Sequence, residues 1–203
     1  MREFDELKTR AMPYEQYFGE MDLTEEEKEK RIKLAQDLEE AMLFFFALLA
    51  TMTANAYANI QFAIDSLVAR YTACLGQYMD LDEYIGDRIT QFATETLETT
   101  QSHADDEWYT SNDRAMLIAE NESNTSWNYD EYRTAVKSGK TKKKWITMQD
   151  KRVRHTHRQL SGKTIPIESI FLVGNSEMYF PKDETFSPET CETANCRCSI
   201  KYF

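Results

Sequence analysis

Residues 24–75 read TEEEKEKRIKLAQDLEEAMLFFFALLATMTANAYANIQFAIDSLVARYTACL, with no glycine or proline. Apolar side chains recur at steps of three and four residues, the period of an amphipathic helix; they are Leu34, Leu38, Met42, Phe45, Leu48, Leu49 and Met52. Thr24 and Glu27 match a capping box, which marks the start of a helix. The stretch predicts either one helix of roughly 75 Å or two helices that fold back near residues 51–55.

The middle of this stretch, residues 41–64, carries no charged side chain and has to be weighed as a membrane span. A transmembrane helix needs about 20 predominantly apolar residues. Only Ala41–Leu49 is densely apolar, and the remainder contains the polar residues Thr51, Thr53, Asn55, Asn59 and Gln61. We therefore expect a helix buried among other helices and no stable membrane insertion. A segment that enters a bilayer is the less favoured alternative.

The elements after residue 75 change from helices to short mixed pieces. Helices are predicted over Leu81–Thr100 and about Asn112–Ala135, with a polar loop at Gln101–Glu107. Strands are predicted at Trp145–Met148, Met178–Phe180 and Ser199–Phe203, extended pieces at Thr164–Ile167 and Ile170–Val173, and a short basic helix at Asp150–Leu160. The predicted fold class is α+β, with a long helical N-terminal region followed by a small, irregular α+β C-terminal module.

Charge is distributed unevenly along the chain. The 203 residues carry 24 Lys and Arg against 35 Asp and Glu, yet residues 131–163 hold 11 basic and only 2 acidic side chains. Basic clusters bind phosphates without sequence preference, so we predict a nucleic-acid-binding set of Lys142, Lys143, Lys144, Lys151, Arg152, Arg154 and Arg158. Trp145 among them would either stack on a base or anchor its strand in the core. The cluster equally suits an acidic protein surface, including another copy of the chain, or a solvated face.

Three of the four cysteines, Cys191, Cys196 and Cys198, fall within eight residues. His155 and His157 precede them. A structural zinc site uses four Cys or His ligands in a tetrahedron, so one histidine and these three cysteines would complete a site. The alternatives are a disulfide, which the lack of a recognisable secretory leader disfavours, or reduced thiols in a small core.

No catalytic motif stands out. The sequence contains no Gly-x-Ser-x-Gly, no phosphate-binding glycine-rich loop and no His-Glu-x-x-His. A cysteine nucleophile paired with His157 is formally possible, but clustered cysteines more often bind metal or pair with each other. We therefore expect a protein that is not an enzyme.

The C-terminal half carries an ordered set of motifs. They are Asp113-Arg114-Ala115, Ile118–Glu122, Lys144–Thr147, Asp150–Arg154, His157, Leu160, Gly162, Phe171, Pro181–Asp183 and Asn195-Cys196-Arg197-Cys198. The set resembles the phage Mu F-like minor head proteins, the head-morphogenesis family of tailed phages and prophages, over about residues 112–203. His157, Cys196 and Cys198 match the family's histidine and Cys-Arg-Cys, whereas Cys191 lies outside the motif.

The resemblance implies a division of the chain and a function. Residues 1–111 would form a helical region that docks on the portal or another partner, and residues 112–203 the Mu F-like module. The protein would be a minor head protein that contacts the portal protein or the packaged DNA and assists head assembly, DNA packaging or early genome delivery. It would reside in the phage head interior, and in the host bacterial cytoplasm during assembly.

Further partners, alternative functions and a metal accompany this hypothesis. Scaffold protein and other copies of the chain are further candidate partners. The protein could instead be a non-specific DNA-binding protein carried with the genome or, less favoured, an enzyme or toxin. A structural zinc ion held by His157, Cys191, Cys196 and Cys198 would be compatible with each of them.

Overall fold

Helices dominate the chain up to residue 137 in the computed structural model, which describes residues 11–19, 21–54 and 59–203. They are α1 Tyr14–Gly19, α2 Glu25–Ala54, α3 Ile60–Leu75, α4 Glu83–Ser102 and α5 Asn112–Lys137, with a 3-10 helix at Glu107–Thr110 before α5. The two-helix alternative for residues 24–75 is therefore the correct one, and α3 packs back on α2. The fold-back was predicted near residues 51–55; α2 continues through residue 54, and residue 55 lies outside the described residues.

Side-chain caps determine where the helices begin. At α2 the backbone amide of Thr24 donates to Glu27 Oε2 over 2.7 Å, and the amide of Glu27 donates to Thr24 Oγ1 over 3.3 Å. This reciprocal pair confirms the predicted capping box. The α4 helix begins two residues later than predicted because Asp82 caps it, accepting from the Ile85 amide.

The helices share one apolar core. The predicted stripe of α2 provides its centre, with Leu34, Leu38, Met42 and Phe45 fully buried. The first half of α5 joins the same core through Ala115, Ile118 and Ala119. A buried arginine, Arg31, adds a polar connection between α2 and α5, because its guanidinium donates to Asn124 Oδ1 over 2.9 Å and to Glu131 Oε1 over 2.6 Å.

The C-terminal module consists of short strands and single-turn helices. They are β1 Lys142–Ile146, α6 His155–Arg158, β2 Thr164–Pro166, β3 Phe171–Val173, β4 Ser176–Met178, α7 Thr190–Thr193 and β5 Ser199–Tyr202. One antiparallel sheet has the order β2-β1-β5, with Trp145 opposite Ile200. The other sheet is the β3–β4 hairpin, which turns at Gly174-Asn175. The α+β fold class is confirmed.

Several predicted bounds in this module were wrong. The first strand begins at Lys142 and ends at Ile146 rather than covering residues 145–148. The basic helix is restricted to His155–Arg158, because the Asp150 carboxylate accepts from the amides of Arg152 and Val153 and holds a turn there instead. The strand predicted at residues 178–180 is instead Ser176–Met178, because the hairpin turn takes only two residues and Met178 pairs with Phe171, the first residue of β3.

Candidate functional site

A histidine and two cysteines meet in the interior of the module. His157 lies on α6, and Cys196 and Cys198 lie between α7 and β5. The Nδ1 atom of His157 is 3.4 Å from Cys198 Sγ and 3.5 Å from Cys196 Sγ. All three side chains are buried and the cysteines carry free thiols. The structure thus brings together three of the four predicted zinc ligands.

The three groups change one another's acidity. Hydrogen bonds from Cys198 and from His157 lower the pKa of Cys196, despite its burial. The neighbouring Cys196 sulfur, together with burial, raises the pKa of Cys198. Burial lowers the pKa of His157, but its hydrogen bond and charge interaction with Cys196 outweigh that effect and leave the pKa raised. The arrangement therefore favours ionisation of Cys196 over ionisation of Cys198.

The other ring nitrogen of His157 contacts a carboxylate. Its Nε2 atom lies 3.0 Å from Glu192 Oε2, which also accepts from Thr156 Oγ1 over 2.8 Å. Gly174 makes room for this carboxylate, because a Cβ atom there would lie 2.6 Å from Glu192 Oε1. Its positive φ of 60° also suits the hairpin turn. The imidazole is thus fixed in one orientation, with Nδ1 towards the sulfurs.

Polar side chains of α5 hold the backbone of the Cys-Arg-Cys segment. The Nδ2 atom of Asn124 donates to the Cys196 carbonyl over 2.9 Å, and that of Asn128 to the Cys198 carbonyl over 3.3 Å. One turn earlier, Asn121 pairs with Asn195, donating to its Oδ1 over 2.8 Å and accepting from its amide over 2.9 Å. The spacing of these asparagines puts them on one face of the helix. Sequence analysis missed this row, although its spacing is legible in the sequence.

Cys191, the fourth predicted ligand, is not part of the cluster. It groups instead with Glu189 and Glu192, and its Sγ lies 3.6 Å from Glu189 Oε2. Successive residues on a helix point about 100° apart. The Cys191 sulfur therefore belongs to a different group from His157, Cys196 and Cys198.

A cavity of about 790 Å³ adjoins the cluster. His157, Cys196 and Cys198 line it, as does Glu120 of α5. Burial raises the pKa of Glu120 to about 8, against an opposing effect of Lys182. Among the described residues, the Glu120 Oε2 atom has no hydrogen-bond partner. The cavity therefore combines sulfur and nitrogen ligand atoms with a carboxyl group whose pKa is raised by burial.

The predicted nucleic-acid-binding set divides between surface and interior. Lys142, Lys151, Arg152 and Arg158 are exposed, and Lys144 is half-buried. Lys143 is fully buried, with its Nζ 5.0 Å from the ring centres of Tyr132 and Tyr179. Burial lowers its pKa to about 8.

Two members of that set are used by the fold itself. The burial of Lys143 contradicts its prediction as a phosphate contact. Arg154 is half-buried and donates to the Ala194 carbonyl. Trp145 is also fully buried, with its ring centre 5.1 Å from that of Phe171, so it anchors the core instead of offering a stacking surface.

The chain thus combines a helical region with a small α+β module that contains a cluster of one histidine and two cysteines. The family model described as Phage Mu protein F like protein matches residues 85–201. The chain belongs to this family, and its class is that of phage head morphogenesis proteins. This places it in the virion and, during assembly, in the host cytoplasm.

The remaining comparisons add no relatives. Neither the curated proteins nor the solved structures gave a match. Within the described residues, no helix has the length and apolar character needed to cross a membrane.

Proposed function

We propose that the protein is a minor head protein that binds the portal and assists head assembly, DNA packaging or early genome delivery. The observation that carries the proposal is the family match over residues 85–201. Membership supports a component that contacts other parts of the phage head. The proposed role is one of assembly and not of catalysis.

The portal as partner is supported by the helical hairpin that lies outside the matched residues. Helices α2 and α3 expose three large apolar side chains, Phe44, Ile60 and Phe62, of which Phe62 is 53% exposed. All three belong to the uncharged residues 41–64. Large exposed apolar patches mark protein interaction sites, and Ile60 and Phe62 both lie in the first turn of α3. We assign portal docking to this surface of the hairpin.

Contact with packaged DNA is the second candidate, and the four exposed cations favour it. Lys142, Lys151, Arg152 and Arg158 remain available to phosphates. Such contacts weaken steeply as salt rises, whereas an apolar contact with the portal does not. Salt dependence therefore separates the two candidates.

The test is a pull-down of the tagged chain from cells that express the whole phage, washed over a salt series. We expect portal protein to be retained at high salt. The double variant Ile60→Ser/Phe62→Ser should lose the portal. The matched control Ile170→Ser/Leu172→Ser, which alters exposed apolar residues of the C-terminal module, should retain it.

Three results would contradict portal docking through the hairpin. One is a wild-type chain that captures no portal protein, and another is equal capture by the two double variants. The third is capture only of material that is released by moderate salt and by nuclease treatment. That result would favour DNA binding over portal docking.

A further inference from the structure

The geometry of the histidine and cysteine cluster matches the coordination of a zinc ion. Tetrahedral zinc has bonds of about 2.3 Å to sulfur and 2.0–2.1 Å to nitrogen, which places a nitrogen and a sulfur ligand about 3.6 Å apart. The two Nδ1–Sγ distances are 3.4 and 3.5 Å. All three ligand atoms lie within 4.8 Å of one another. The separations of the nitrogen from the two sulfurs are therefore those of ligands around one tetrahedral zinc ion.

A second observation concerns the orientation of His157. Metal-bound histidines generally donate their other N–H to a carboxylate or carbonyl, which fixes the ring and the tautomer. Glu192 Oε2 is at 3.0 Å from Nε2 and occupies this place. In a zinc-bound histidine held in this way the proton is on Nε2, and the lone pair of Nδ1 points to the ion.

A third observation is that the ligand-bearing backbone is held before any ion binds. The carbonyls of Cys196 and Cys198 accept from Asn124 and Asn128 of α5. Asn195, the residue before the first cysteine, has a φ of 52°, in the left-handed region that asparagine tolerates better than most residues. Sites supported in this way lose little conformational freedom on binding a ligand.

We propose that His157 Nδ1, Cys196 Sγ and Cys198 Sγ bind one zinc ion, with the fourth position taken by water from the adjoining cavity. Three protein ligands and one exchangeable ligand are the arrangement of open zinc sites. Cys191 belongs to a different group and does not complete the tetrahedron. All three ligand residues line the cavity, so a small molecule reaches the ion from there.

The wall of the cavity also contains a buried carboxyl group. Glu120 lines it, is 2% exposed, and keeps an Oε2 atom with no hydrogen-bond partner among the described residues. A zinc-bound water is a hydrogen-bond donor that would satisfy this carboxyl oxygen, directly or through a second water.

The experiment measures the metal content of the full chain, purified under reducing conditions with a tag that contains no histidine. We expect one zinc ion per chain in the wild type and none in Cys196→Ser, Cys198→Ser or His157→Asn. Cys191→Ser and Cys74→Ser are matched cysteine controls outside the cluster, and both should keep the full content.

A second measurement does not depend on whether the variants fold. Cobalt replaces zinc in thiolate sites and reports tetrahedral sulfur ligation in its absorption spectrum, so it is titrated into the metal-free wild-type chain. We expect saturation at one cobalt per chain with a thiolate charge-transfer band, and displacement of cobalt by zinc.

Each of the following results would overturn the proposal. The wild-type chain could lack zinc and show no thiolate band with cobalt, or Cys191→Ser could lose as much metal as Cys198→Ser. Cys196 and Cys198 could also be found joined in a disulfide, by a mass lower by two hydrogens, in freshly purified protein.

Discussion

At the scale of single residues, Glu120 is a carboxyl group in an environment that opposes its charge. It is almost fully buried, and burial raises its pKa from 4.5 to about 8 while Lys182 acts in the opposite direction. The sequence does not indicate that Glu120 is buried, because a glutamate between Ala119 and Asn121 is ordinary for a solvated helix. Its position beside the cavity is set by residues far away in the chain.

The pH dependence of stability should reveal this group. Between about pH 4.5 and pH 8 the folded chain holds a proton on Glu120 that the unfolded chain releases. The free energy of unfolding therefore falls as pH rises through this window, by up to about 1.4 kcal/mol per pH unit. In Glu120→Gln, which stays neutral, this part of the slope should disappear.

Urea denaturation at several pH values within this window measures the slope. Glu177→Gln, which alters an exposed carboxyl on β4, is the control and should follow the wild type. Parallel curves for wild type and Glu120→Gln would show that the Glu120 carboxyl is ionised in the folded chain.

At the scale of elements, α5 is unusual because its buried side is largely polar. The buried polar side chains on this helix are Arg114, Glu120, Asn121, Glu122, Ser123, Asn124, Thr125, Ser126 and Asn128. Buried polar groups are expensive unless they are hydrogen-bonded. The asparagines satisfy this requirement by bonding the Cys-Arg-Cys backbone, so α5 both closes the helical core and supports the cluster.

Removing one asparagine should test this double role. In Asn124→Ala the Cys196 carbonyl and the Arg31 guanidinium each lose a buried partner. We expect the free energy of unfolding to fall by about 2–4 kcal/mol. Asn112→Ala, an exposed change on the first turn of the same helix, should alter it by less than about 0.5 kcal/mol.

Chemical denaturation of the two variants beside the wild type gives the comparison. Similar stabilities for Asn124→Ala and Asn112→Ala would mean that the asparagine row does not support the Cys-Arg-Cys segment.

Local signals explain which elements could be predicted. The start of α5 was predicted correctly because Ser111 caps it, and its end was predicted within two residues because Ser138-Gly139 follows. The break between α2 and α3 contains no glycine or proline, so these residue types do not reveal whether the stretch is one helix or two. Its signal is Asn59, whose side chain accepts from the Phe62 amide at the start of α3.

The candidate site was predictable only in part, for a related reason. Residue type and spacing selected His157, Cys196 and Cys198, which the fold brings together. The same reasoning included Cys191, because spacing does not reveal that Glu192 is the α7 residue that faces the histidine. It also included Lys143, because a run of three lysines gives no sign that alternate residues of a strand point inwards until the strand is placed.

At the scale of the whole molecule, the helical core and the module core are joined through α5. Arg31 and Asn124 connect α2 to α5, and Asn128 connects α5 to the carbonyls of Pro181 and Cys198. Chains of this length often unfold through intermediates. The shared helix nevertheless predicts one transition, because neither core is complete without it.

Two probes in one urea titration test this expectation. In the Trp108→Phe/Trp127→Phe variant, fluorescence reports only on Trp145 in the module, while far-UV circular dichroism is dominated by the helices. The two midpoints should coincide. A module that unfolds at lower urea than the helices would instead show two independent units.

The hydroxyl of Tyr17 donates to the Cys196 carbonyl over 3.3 Å, across 179 positions of sequence. A ribosome adds about 5–20 residues per second, so these two partners leave it roughly 10–35 s apart. During that interval α1 and the helices that follow it cannot pack against the Cys-Arg-Cys segment, because that segment has not been synthesised. We therefore expect a period during synthesis in which the helical region has been made and the module has not. Chaperones or other head components have access to the helices during that period.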